Sequence, residues 1–257
     1  MKRQFLPLLA ICLISCSEPG FHDNHVIAHR GAWKDTGLPQ NSLASFTAAA
    51  EMGCHGSECD VWISADDSLV ICHDATRDGK RIDEMTYEEV ISVPLSNGEK
   101  IPTLREYVLN ARNHPRTKLI IDLKPIKVPE RSWLMLQKID QLVKELDYEQ
   151  NVEYILNYHP LYNEFSELTD QPITYLGHWR DELPEMYPDS VYACGIKCVD
   201  YKYIHYDAHP EWVESFKENN IHLNVWTVND EESMKKFLNL GFDYITTDHP
   251  ALLLSIE

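Results

Sequence analysis

The fold class this sequence predicts is α/β, a (β/α)8 TIM barrel, and three observations point to it. Short apolar runs of strand length alternate with helical stretches along the chain, and such alternation builds a parallel sheet joined by crossover helices. Eight principal strands fit into roughly 230 residues, which suits a closed barrel better than an open doubly wound sheet. No linker, internal repeat or low-complexity run divides them. Residues 26–257 therefore read as one domain. With 257 residues, 44% hydrophobic and 25% charged, the chain is large and apolar enough to bury a core. That composition excludes a disordered, collagen-like or coiled-coil protein.

The elements follow in order. Residues 26–29 form the first strand, and a helix is expected over 42–52, where the Ser42 hydroxyl can cap it. Residues 57–63 are the second strand, and 69–73 form a further extended run close enough for a hairpin-like excursion. A helix over 104–111 leads to the third strand at 118–123, and a long amphipathic helix occupies 131–146. Strands at 152–156, 173–176, 192–197, 222–226 and 243–246 complete the eight, with helices near 210–219 and 231–240.

The first residues stand outside this pattern. Lys2 and Arg3 precede an apolar run over 5–14 and then small residues, the layout of a secretory signal. The run falls short of the roughly 20 apolar residues that span a bilayer. Leu13-Ile14-Ser15-Cys16 resembles the lipobox of bacterial lipoproteins, which implies cleavage before Cys16 and lipidation of its thiol. Residues 1–16 are then the signal and 17–25 a tether, and the domain is expected outside the cytoplasm, held to a membrane only through that anchor; the alternative is an ordinary signal peptide cut a few residues later. With Cys12 and Cys16 assigned to this segment, Cys54, Cys59, Cys72, Cys194 and Cys198 remain. Five is odd and no CxxC pair occurs, so neither a disulfide framework nor a zinc site is indicated. These thiols read as small apolar core residues.

Charge narrows the function. Asp and Glu number 41 against 23 Lys and Arg, a formal net charge of −18. Such a surface repels nucleic acid and anionic membranes. A local basic site, or a bound cation, can still capture a small anion.

TIM barrels place their chemistry at the C-terminal ends of the strands. There the sequence puts His29 and Arg30, then Glu58 and Asp60, His73 and Asp74, Asp122 and Lys124, Asn157 and His159, Lys197, Trp226 and Asp248. Residues two apart on a strand share a face. Glu58 and Asp60 thus point the same way with Cys59 turned opposite, and Asp122 pairs likewise with Lys124. Three carboxylates at one mouth repel each other unless a cation neutralises them. Oxygen-only ligation suits one divalent ion, Mg²⁺ or Ca²⁺. With that cation, Arg30 and Lys124 reverse the remaining negative charge and admit a phosphoryl group. His29 and His73 titrate near neutrality when unperturbed, which suits a general acid and a general base. Lys197 and Tyr158 are expected to line the pocket, Asp248 to be a turn or cap residue, and 181–185 to be a solvated acidic face. His159, His178, His205 and His209 are expected at the surface or in packing.

Ala28-His29-Arg30-Gly31, Pro39-Gln40-Asn41-Ser42, Gly56-Ser57-Glu58-Cys59-Asp60-Val61 and His73-Asp74 occur in this order. Ile101-Pro102-Thr103-Leu104, Asp122-Leu123-Lys124-Pro125, Val225-Trp226-Thr227-Val228-Asn229 and Thr247-Asp248-His249-Pro250 follow. The ordered set resembles the glycerophosphodiester phosphodiesterase family over the whole chain after residue 25. The resemblance implies a TIM barrel with a small insertion after the second strand, near 75–98. It also implies metal-dependent hydrolysis of a glycerophosphodiester to glycerol 3-phosphate and an alcohol. Carried over, His29 and His73 are the acid/base pair and Arg30 and Lys124 contact phosphate. Glu58, Asp60 and Asp122 hold the metal, and Trp226 walls the glycerol part. Two departures stand out: Gln40 and Asp122 each replace a Glu of the family pattern. Gln40 loses a charge, leaving direct ligation or a hydrogen-bonding role behind the ligands. Asp122 is one methylene shorter. These departures support a competing expectation, a non-catalytic extracytoplasmic binding protein for glycerophosphodiesters or sugar phosphates. A third reading keeps the barrel and shifts the chemistry to a phospholipid-headgroup phosphodiesterase.

Overall fold

The computed structural model describes residues 20–126, 128–157, 159–178 and 185–257. The signal and lipobox, Tyr158 and residues 181–184 lie outside the described residues. Eight parallel strands close into a barrel: β1 (Val26–Ala28), β2 (Gly56–Ile63), β6 (Lys118–Leu123), β7 (Val152–Leu156), β8 (Ile173–Leu176), β9 (Cys198–Lys202), β10 (His222–Trp226) and β11 (Tyr244–Thr247). β1 pairs with both β11 and β2, which seals the sheet. The remaining strands are β3 (Leu69–Ile71), which lies antiparallel on β2, and the short pair β4 (Thr76–Arg77) and β5 (Lys80–Arg81). β3 is the expected hairpin excursion. β4, β5 and the helix Tyr87–Val90 fall within the expected insertion.

Two apolar layers hold the barrel. Ile27, Ile120 and Ile155 meet on its axis, with Leu176 and Tyr244 packed against them. Alternate residues face outward under the helices, where Cys59, Val61, Leu119 and Ile121 are fully buried. Cys54 and Cys59 are buried, Cys72, Cys194 and Cys198 partly so, and all five cysteines among the described residues are free thiols. Ser42 caps the helix Leu43–Met52 as expected. Its Oγ accepts from Ser45 N–H at 3.0 Å while Ser45 Oγ accepts from Ser42 N–H at 3.2 Å. Among the described residues no helix is long and apolar enough to cross a membrane.

The sixth strand requires a correction. The apolar run 192–197 is not a strand: Pro188 opens the helix Pro188–Ala193 and Gly195, at φ 73°, follows it. The strand is Cys198–Lys202, whose central Asp200 interrupts the apolar pattern. Lys197 consequently stands before β9, exposed at the barrel's N-terminal end, and does not line the mouth.

Candidate active site

At the end of β1 the chain turns sharply over the barrel mouth. Arg30 and Gly31 take φ 58° and 81°. A Cβ on Gly31 would stand 2.5 Å from Ser45 Oγ, so only glycine fits there. The Arg30 carbonyl accepts from Asn41 N–H at 3.0 Å and Ser45 Oγ at 3.1 Å. Its own N–H donates to Glu58 Oε2 at 2.9 Å. The turn thereby fixes His29 and Arg30 over the ends of β1 and β2.

Asp60 and Asp122 are register partners on β2 and β6. Glu58 lies two residues back, and oxygens of all three carboxyl groups fall within 4.8 Å of one another. The shorter Asp122 therefore reaches the cluster. All three are buried. Lys124 Nζ lies 2.5 Å from Asp60 Oδ1 and 2.6 Å from Asp122 Oδ2. Asp60 Oδ2 accepts from Asn41 Nδ2 at 2.6 Å and sits 3.4 Å from Arg30 Nε. Burial opposes the charge on Asp60, but Lys124 and Arg30 outweigh it and hold that carboxyl well below the usual range. Glu58 moves the other way, raised by burial and then by Asp60 and Asp122. Burial raises Asp122 too, against the pull of Lys124. Two cations thus stand against three buried carboxyl groups, and Asp122 Oδ1 is buried without a hydrogen-bond partner. A divalent cation would fit this all-oxygen set and would offset the negative charge of the trio. Gln40 stands outside the trio, and its Oε1 accepts from Arg30 Nη1 at 2.8 Å. It positions the guanidinium.

Asp248 has a role that sequence reasoning missed. It follows β11 in the expected turn, but it is buried, and its Oδ1 lies 2.7 Å from His29 Nδ1. Oδ2 accepts from Lys34 Nζ at 2.6 Å and Asn229 Nδ2 at 2.9 Å. Burial resists ionisation of Asp248, and the hydrogen bonds from His29, Lys34 and Asn229 overcome it, so its pKa is lowered. His29 is also lowered, chiefly by burial, with Asp248 pulling it back. A buried histidine needs an oriented partner, and an Asp ending the last strand beside β1 was the available signal. His73 occupies the open rim, its side chain 37% exposed and its Nδ1 2.9 Å from Asp74 Oδ1. Trp226 Nε1 donates to the Asp200 carbonyl at 3.0 Å.

One cavity of about 430 Å³ gathers these groups: His29, Arg30, Glu58, His73, Asp122, Lys124 and Trp226 all line it. Asp60 lies behind them, holding Lys124 and Arg30. The acidic stretch 181–185 is corrected at its last residue. Glu185 is buried, accepts from His178 N–H at 2.5 Å and lies 3.3 Å from His205 Nε2. Burial raises its carboxyl to about 7. His209 is a packing residue, stacked on Trp212 with ring centroids 4.3 Å apart.

A TIM-barrel mouth that sets clustered carboxylates, two cations and two histidines around a small cavity is an arrangement suited to hydrolysing a phosphate ester. The chain matches the profile of the Glycerophosphoryl diester phosphodiesterase family over residues 29–252, and it belongs to that family. It is therefore a phosphodiester hydrolase. A glycerophosphodiester phosphodiesterase of Caldanaerobacter subterraneus is 27% identical over 259 residues, covering 90% of this chain and 96% of that one. The crystal structure of a glycerophosphodiester phosphodiesterase from Parabacteroides distasonis is 37% identical with a TM-score of 0.84, covering 92% and 98% of the two chains. An Oleispira antarctica phosphodiesterase, solved with the product sn-glycerol-3-phosphate, shares the fold at a TM-score of 0.76 and 22% identity, covering 90% and 96%.

Proposed function

We propose that the chain hydrolyses glycerophosphodiesters to glycerol 3-phosphate and an alcohol with one bound divalent cation, Mg²⁺ or Ca²⁺, and two histidines. The observation that carries this reading is the shared cavity, where His29 and His73 face the same space as the carboxylate cluster, Arg30 and Lys124. Glu58, Asp60 and Asp122 would hold the cation, which would supply charge to polarise the phosphoryl oxygen. Arg30 and Lys124 bind the phosphate and take up the charge that develops on it. His29 is the base. Asp248 engages its Nδ1, leaving Nε2 to accept a proton from the nucleophile, either water or the neighbouring glycerol hydroxyl. In the second case water opens the cyclic phosphate that results. His73, at the open rim, donates a proton to the departing alcohol oxygen. The Oleispira enzyme's bound product is what such a reaction leaves behind.

Single His29→Ala and His73→Ala variants test the assignment. Each should lower kcat by at least ~100-fold on a glycerophosphodiester. Full activity in both would remove the two-histidine mechanism and favour a different acid/base pair. Family membership and the complete histidine and carboxylate set weigh against the binding-protein reading.

The N-terminal sequence supports export and a lipid anchor on Cys16. Radiolabelled fatty acid should enter the intact chain and fail to enter a Cys16→Ser variant. Equal labelling of the two would exclude the anchor.

A further inference from the structure

Around the eight-strand ring β9 stands four strands from β2, directly across the mouth from Glu58 and Asp60. Asp200 sits at its centre and lines the cavity. It is 2% exposed, and its Oδ1 is fully buried without a hydrogen-bond partner. Among the described residues no cation pairs with it. Its backbone is firmly held, the carbonyl accepting from Gly177 N–H at 3.1 Å and from Trp226 Nε1 at 3.0 Å. The walls beside it, Ile155, Leu176 and Trp226, are largely apolar. A carboxyl with no partner in such a place carries a desolvation cost that folding alone gives no reason to accept.

The rest of the site indicates what occupies it. The carboxylate cluster, Arg30 and Lys124 fix the phosphate at the β1, β2 and β6 side of the mouth. His73 and Asp74 lie at the exposed rim, their side chains 37% and 76% exposed, which is the open path for a departing alcohol of variable size. The unvarying glycerol unit then takes the enclosed side of the cavity. Its hydroxyl next to the phosphate stays near the phosphoryl group. Its terminal hydroxyl is the group that reaches across toward β9. Burial raises the Asp200 pKa well above the usual carboxylate range, with Asp122 adding to the effect. In either protonation state a carboxyl offers an acceptor to a hydroxyl donor.

We infer that Asp200 is a specificity-determining residue that hydrogen-bonds the terminal hydroxyl of the substrate's glycerol unit. The inference rests on the reading of this site as one for glycerophosphodiesters. It makes the enzyme selective for diesters with that hydroxyl free, whatever the alcohol on the other side.

The test compares glycerophosphocholine with 2-hydroxypropyl phosphocholine, which lacks only the terminal hydroxyl and keeps the one beside the phosphate. Wild-type kcat/KM should favour glycerophosphocholine by about 100-fold, because the analogue leaves a buried carboxyl unpaired. In Asp200→Leu that preference should fall to within about threefold of unity. Asp200→Asn keeps a donor and an acceptor and should retain at least about tenfold. The same collapse should occur with glycerophosphoinositol and its 2-hydroxypropyl analogue, since the glycerol unit is common to both and inositol is neutral. A wild-type preference near unity overturns the inference without need of any variant. So does an Asp200→Leu preference equal to the wild type's, or a loss confined to the choline diesters, which would make Asp200 a site for the cationic alcohol. Should wild type cleave bis(4-nitrophenyl) phosphate but no glycerophosphodiester, the underlying substrate reading falls and the inference with it.

Discussion

Replacing Asp248 with Asn isolates one link of the proposed mechanism, the orientation of His29. Asp248 offers one oxygen to His29 at 2.7 Å and the other to Lys34 at 2.6 Å and Asn229 at 2.9 Å. An Asn in that place has one oxygen and one NH₂. If the oxygen faces His29, the NH₂ meets two donors, Lys34 and Asn229. If the amide flips, His29 must accept at Nδ1 and carry its proton at Nε2, the wrong tautomer for a base. Hydrogen bonds to a charged partner contribute roughly 1.5–3 kcal/mol. At about 1.4 kcal/mol per tenfold in rate, kcat should fall about 10- to 150-fold. The wrong tautomer would deepen the loss toward the ~10⁴ known for serine-protease triads. The pH profile supplies a second readout. Asp248 pulls the His29 pKa upward against burial. Its removal should therefore move the acidic limb of the kcat profile to lower pH. Steady-state kinetics on a glycerophosphodiester between pH 5 and 9, with thermal melts as a folding control, provide the assay. A folded variant within about threefold of wild type and with an unmoved limb would refute the role given to Asp248.

Two further predictions concern stability. Glu185 titrates at about 7 against an ordinary 4.5. The folded state then holds a proton that the unfolded state has released, so stability present below pH 4.5 is lost as pH rises through 7. At 1.36 kcal/mol per unit the window is worth at most roughly 3 kcal/mol, less what solvent screening removes. Urea midpoints measured across it should fall with pH in wild type and less steeply in Glu185→Gln; equal slopes would contradict the assignment. Ser42→Ala removes the reciprocal cap with Ser45 and should cost about 1 kcal/mol, a Tm loss of about 2–4 °C by calorimetry. An unchanged Tm would show that the cap contributes nothing.

The parts of this protein most legible in sequence are those where local pattern and tertiary role agree. The strands at 118–123, 152–156, 173–176 and 222–226 have the bounds their apolar runs suggest. The alternation rule placed Glu58 and Asp60 on one face, and the register of β2 on β6 brings Asp122 to them. Legibility failed where a polar residue serves the cavity from inside a strand. Asp200 broke the apolar run of β9, so the neighbouring run 192–197 looked like the strand. Asp248 follows β11 in a Thr-Asp-His-Pro turn, and its pairing with His29 spans 219 positions, which only barrel closure reveals. Glu185 read as part of an acidic surface because nothing local signals the burial imposed by Gly177 and His205. Sequence rules commonly fail at working residues, where function overrides local consistency.

Under the proposed mechanism the three-carboxylate mouth performs cation-assisted phosphodiester hydrolysis. Turnover of a glycerophosphodiester panel by the chain lacking residues 1–16, stripped with EDTA and then given Mg²⁺, Ca²⁺ or Mn²⁺ separately, tests it most directly. Activity should vanish with EDTA and return with at least one divalent ion, and Glu58→Gln should need more of that ion to reach half its maximum. Undiminished turnover in EDTA, or none with any cation on any diester, would contradict the account.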